Sequence, residues 1–149
     1  MANCKSIQKV IILSLIVLNT TLCFSQFTHP GLAHTLEDLN RMKEKVNSGV
    51  SPWIDGYNLM ILDGKAQKTY TAGPKSTIGG SDGTRQRAAR DATAAYYNTL
   101  RWYITGDTTH AECAVRILNA WSNSINSVVT GELFMLPIMM MVQSGELLR

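Results

Sequence analysis

Cysteine is scarce in this sequence. There are three in 149 residues, and Cys4 and Cys23 both fall in the first twenty-five. Beyond them Cys113 stands alone, which excludes an internal disulfide and leaves a structural zinc site without its ligands. No phosphate loop, no nucleophile elbow set on a strand and no zinc motif can be placed. No strand-like alternation competes with the helical patterns described below. An excess of positive charge is also missing once the first segment is set aside. The chain carries 14 Lys+Arg and 11 Asp+Glu; Lys5 and Lys9 belong to that segment, leaving twelve against eleven, a net of +1. So small a balance gives no reason to expect a nucleic-acid partner.

The first segment reads as a secretory signal peptide. Lys5 and Lys9 form a basic start, residues 10–18 are apolar apart from Ser14, and Cys23-Phe24-Ser25 sets small residues at the two positions a signal peptidase reads. The apolar run is too short for a comfortable membrane span. Cleavage is expected after Ser25, giving a mature chain that starts at Gln26 and is periplasmic or secreted, with no membrane attachment. An uncleaved anchor is the alternative, and bulky Leu22 argues against lipidation of Cys23.

From there on the sequence predicts helices. Thr35 is an N-cap with Glu37 and Asp38 in the first turn, and Leu36, Leu39, Met42 and Val46 share one face up to a stop at Gly49. Pro52 opens a second helix with Trp53, Tyr57, Met60 and Ile61 on its apolar side, ending at Asp63-Gly64. Residues 64–84, broken by five glycines and Pro74, read as a long loop whose one aromatic residue is Tyr70. A third helix over 86–105 carries a small-residue face of Ala88, Ala92, Ala95 and Thr99 and ends at Gly106. Thr109 and Glu112 form a capping box for a fourth, with Ala111, Ala114, Leu118, Trp121 and Ile125 at helical spacing. Residues 133–149 are apolar up to Gln143, and Pro137 is expected to mark the start of the helix proper. Short turns between helices predict an all-α protein of antiparallel hairpins. The last helix is still amphipathic at Arg149. Its Met135, Met139, Met140 and Met141 have little chain to cover them, so the sequence is expected to stop inside a larger helical domain.

Chemistry is concentrated at one place. Arg85, Arg87 and Arg90 crowd the entrance of the third helix, where the helix dipole disfavours cations. Asp91 can pair with Arg87 at a spacing of four. A solvated basic turn is the ordinary reading; an anion site facing the glycine-rich loop, suited to sugar carboxylates, is the sharper one. His29, His34 and His110 are too scattered to ligate a metal; the first two read as structural, and His110, in the first turn of the fourth helix, as exposed. The methionines and Trp53, Trp102 and Trp121 read as core.

The sequence resembles a known family. His29-Pro30-Gly31-Leu32, Leu39-Asn40-Arg41-Met42-Lys43 and Pro52-Trp53 look like the opening of alginate-lyase-like proteins. Asp91-Ala92-Thr93-Ala94-Ala95-Tyr96, Trp102-Tyr103-Ile104-Thr105-Gly106-Asp107, Ile117-Leu118-Asn119-Ala120-Trp121 and Gly145-Glu146-Leu147-Leu148-Arg149 resemble its next helices in order. The resemblance implies an incomplete (α/α) toroid, residues 26–149 forming its N-terminal portion, and cleavage of uronic-acid polysaccharide by β-elimination. In that reaction the C6 carboxylate is neutralised, the C5 proton is removed by Tyr or His, and the 4-O-glycosidic bond breaks. It implies no metal and no cofactor. It also implies that the loop after the second helix can lid the substrate cleft, which would make Tyr70, Arg85, Arg87 and Arg90 substrate contacts.

The departure from the family is that no Asn-His or Asn-x-His pair occurs, so no catalytic residue can be carried over, and the chain alone is expected to be inactive. A carbohydrate-binding relative without catalysis is one alternative. A helical-repeat module is another, although residues 96–118 do not recur some 34 residues away. Oligomeric state and the preferred uronate stay open.

Overall fold

The computed structural model describes residues 32–79, 83–129 and 135–149. The signal segment 1–25, the His29-Pro30-Gly31 stretch, the Leu133 start of the last apolar run and the Met135 side chain lie outside what it describes. Among the described residues there are five α-helices: α1 Leu36–Asn47, α2 Trp53–Leu62, α3 Thr84–Thr105, α4 Thr108–Ser122 and α5 Met135–Leu147. None is long and apolar enough to cross a membrane. The all-α expectation holds.

Helix α1 starts as the sequence predicts. Thr35 and Asp38 form a reciprocal capping box, and Leu39 and Val46 are buried. Leu36, expected on the inner face, is 48% exposed. Helix α2 buries no residue fully; Trp53, Tyr57 and Met60 instead line an open apolar groove of about 400 Å³ with Met42, Val46, Leu100 and Ile104.

Helix α3 is the axis of the structure and packs on α1, α4, α5 and the 3₁₀ turn Gly64–Ala66. Its small-residue face explains this. Ala88, Ala92, Ala94, Ala95 and Thr99 are fully buried and let neighbouring backbones come close. One core cluster gathers Ile78, Ala88, Ala94, Ala95, Cys113, Ile117 and Trp121, and a smaller one joins Leu39, Leu100 and Leu147. Of the three tryptophans expected in the core only Trp121 is fully buried, whereas Trp53 and Trp102 are half-exposed.

Two boundaries differ from expectation. Helix α4 is capped by Asp107, whose carboxylate accepts from the Thr109 N–H at 3.0 Å, and not by a Thr109–Glu112 box. Gly106, at φ 76, makes the left-handed turn between α3 and α4, leaving Asp107 as the residue in N-cap position. Helix α5 begins two residues before Pro137, which the first turn of a helix tolerates because proline has no N–H to donate and a donor at that position would have no intrahelical partner.

The absence of strands is also corrected. Thr77–Ile78 (β1) pairs in parallel with Ser127–Val128 (β2), with the Asn126 N–H donating to the Ser76 carbonyl at 2.7 Å and Val129 N–H to Ile78 at 2.9 Å. Two residues are too few to display a period of two. The ribbon ties the long loop to the chain leaving α4.

His110 is the other correction. It is 3% exposed, with Nδ1 2.7 Å from Asn98 Oδ1. Asn98 Nδ2 donates to the carbonyls of Lys65 (3.0 Å) and Ala94 (2.9 Å), so Oδ1 is the acceptor and His110 Nδ1 carries the proton. Burial, then the charge of Arg101, pulls its pKa below 6.5; Lys68 acts the same way and Asp107 opposes them. The sign follows from linkage. The unfolded chain binds the proton more readily, so stability present above about pH 6.5 is lost as pH falls through the depressed value. Melting temperature should therefore drop between pH 7 and 5, and His110→Gln should flatten that slope. An unchanged slope in the variant would locate the acid sensitivity elsewhere.

Candidate functional site

The loop of residues 64–79 crosses the first turns of α3, and Asp91 is the point where they meet. Its carboxylate is fully buried, a placement that is costly unless every lone pair is met. Oδ1 accepts from the Tyr70 hydroxyl at 2.7 Å and lies 3.7 Å from Arg87 Nε. Oδ2 accepts from the Gly73 N–H and from Trp121 Nε1, each at 2.9 Å. Loop, helix α3 and helix α4 are thus fastened to one anion.

Gly73 has no side chain for a reason. A β-carbon there would overlap the Arg87 guanidinium, which lies against the loop backbone. Arg87 is consequently held on two sides, by Asp91 below and by the Gly73 backbone beside it. From this seat it lines an open cleft of about 630 Å³ together with Gly73, Lys75, Gly83, Thr84, Gln86 and Arg90. Thr84 closes the loop at the helix start by donating to the Gly79 carbonyl at 2.6 Å. Three cations, Lys75, Arg87 and Arg90, face this cleft, and the positive end of the α3 dipole adds to their potential.

The four residues singled out from the sequence have separate placements. Arg87 and Arg90 line the cleft together. Arg85 is half-buried and lies outside the lining. Tyr70 points down to Asp91, and burial, then the hydrogen bond to that carboxylate, pushes its pKa up to about 12. A phenol so placed holds its proton at neutral pH and, by donating it to Asp91, braces the loop.

Sequence reasoning missed Lys75, Gly73 and the full role of Asp91. The Arg87–Asp91 spacing was visible. The stronger signal was an acid at position 91 on the same helical face as Ala88, Ala92 and Ala95: a carboxylate among buried alanines must find donors from elsewhere in the chain.

Fold and cleft together define an all-α protein with an open, positively charged cleft built where a loop crosses a helix entrance. The Alginate lyase family model matches residues 35–133, and the chain belongs to that family. No curated protein and no solved structure matches it. Membership makes it a polysaccharide lyase at the family level, with acidic polysaccharide as the substrate class.

Proposed function

We propose that the protein binds a uronic-acid polysaccharide of the alginate type in the cleft between residues 73–75 and the start of α3, as part of a β-elimination. The observation that carries this is the pair Arg87 and Arg90 with Lys75 on one open face, Arg87 seated by a buried carboxylate. Guanidinium groups match carboxylates two-pronged, and a cation at the C6 carboxylate stabilises the enediolate that forms when the C5 proton leaves. In this reading Arg87 and Arg90 are substrate contacts, Tyr70 positions the loop, and Arg85 contributes charge from outside the cleft. The chain contains no Asn-His pair and supplies no assigned base, so by itself it binds without cutting. Further parts of the same reading are an (α/α) toroid built from the α1–α2 and α3–α4 hairpins and export directed by residues 1–25.

The test is calorimetric titration of the chain with a mannuronate trimer. Arg87→Ala and Arg90→Ala should each weaken binding roughly tenfold or more, as loss of a charge-assisted hydrogen bond does. A neutral glucose trimer should not bind, and added salt should weaken the uronate. Equal affinity of wild type and both variants would remove the cleft from the reading. Alginate incubated with the chain should show no rise in the ultraviolet absorbance of unsaturated uronides; a rise would overturn the claim of binding without cutting.

A further inference from the structure

The run of residues 65–70 that leads into the cleft wall is held by side chains from two helices. Asn98 Nδ2 donates to the Lys65 carbonyl at 3.0 Å, and Arg101 Nη1 to that of Ala66 at 2.9 Å. Cys113 Sγ lies 3.8 Å from the Gln67 carbonyl. Arg116 Nη2 donates to the carbonyls of Lys68 at 3.0 Å and Tyr70 at 3.4 Å. None of these four residues lines the cleft. Their bonds end at Tyr70, and the next contacts along the chain are those of the Tyr70 hydroxyl and the Gly73 N–H with Asp91. Asn98 and Cys113 are buried and serve the core as well, whereas Arg116 reaches the run from the exposed side of α4.

We propose that Arg116 is a positioning residue for the cleft: by holding the Lys68 and Tyr70 carbonyls it keeps Tyr70 and Gly73 on Asp91, and so fixes where Arg87 stands. The proposal deepens the uronate-binding reading of that cleft and rests on it for its functional consequence. The mechanism is preorganisation. A run with its carbonyls already satisfied needs no ordering when a ligand arrives, so the binding free energy is not spent on it. Arginine suits the task because one planar group can address two carbonyls, which the point charge of lysine does less well.

The experiment compares wild type, Arg116→Ala and Arg116→Lys in the full chain, with the Gly73 amide exchange rate, the mannuronate-trimer affinity and the melting curve as readouts. In Arg116→Ala, Gly73 exchange should rise roughly tenfold as the local opening becomes easier, and the trimer should bind about threefold to tenfold more weakly. The melt should barely move, since the side chain is on the surface. Arg116→Lys should recover part of both changes. Unchanged Gly73 exchange in Arg116→Ala overturns the proposal, including when affinity falls, because Arg116 would then act through its charge alone. A wild-type chain that binds no trimer defeats the functional reading, while Gly73 exchange still decides whether Arg116 positions the loop. Should Arg116→Ala fail to fold, the exchange rate in Arg116→Lys decides: a value equal to wild type overturns it.

Discussion

Replacing Asp91 with alanine is expected to lower the stability of the fold by about 3–5 kcal/mol, the range for breaking a buried, hydrogen-bonded charge. The substitution leaves three donors without their acceptor at once: the Tyr70 hydroxyl, the Gly73 N–H and the indole N–H of Trp121. It also leaves Arg87 without its counter-charge. For a domain of this size the melting midpoint should fall roughly 10–20 °C. Circular dichroism melts of the two chains measure it, and a midpoint within a few degrees of wild type would show that the carboxylate does not fasten the loop.

Asp91→Asn separates shape from charge. The amide oxygen can still accept from Gly73 and Trp121. Its NH₂ then faces Arg87, donor against donor, and faces Tyr70 acceptably only if the phenol turns to accept. The cost should therefore be smaller, roughly 1.5–3 kcal/mol for the lost charge-assisted bonds. Arg87 should feel it more than the fold does, because its seat on Asp91 depends on the negative charge. Asp91→Asn ought then to weaken mannuronate binding even at temperatures where the chain is fully folded.

These expectations rest on a residue whose importance was only half legible. The helices themselves were readable, because caps and apolar spacing are local: Thr35 caps its helix, and Ala88, Ala92 and Ala95 share one buried face, as the sequence predicts. What failed was long-range. The burial of His110 depends on Asn98, twelve residues earlier and on another helix. The β1–β2 ribbon joins segments fifty residues apart, and neither half carries a pattern alone. The same holds for the site. The arginines at 87 and 90 were visible as a charge cluster, but Lys75 joins them only because the loop is pinned at Gly73, and no local rule says where a glycine-rich loop will be pinned. Asp107 is the instructive minor case. A good capping box at Thr109 lost to an aspartate two residues earlier, because the left-handed turn at Gly106 starts the helix sooner.

Trp121 carries the second large effect, because it serves the core and the site together. Its ring is 1% exposed within the main cluster and its N–H binds Asp91 at 2.9 Å. Trp121→Ala should cost about 3–5 kcal/mol through lost burial and the cavity left behind. Trp121→Phe keeps much of the volume and removes the donor, so its smaller cost isolates the hydrogen bond to the carboxylate, roughly 1.5–3 kcal/mol. A double variant of Trp121→Phe with Asp91→Ala, which removes the acceptor altogether, provides the check. If the indole and the carboxylate act as one unit, the combined loss in denaturant melts should be less than the two single losses added, by 0.5 kcal/mol or more. Strict additivity would mean that Trp121 fills space and Asp91 holds the loop independently. The core of the protein would then have no say in where Arg87 stands.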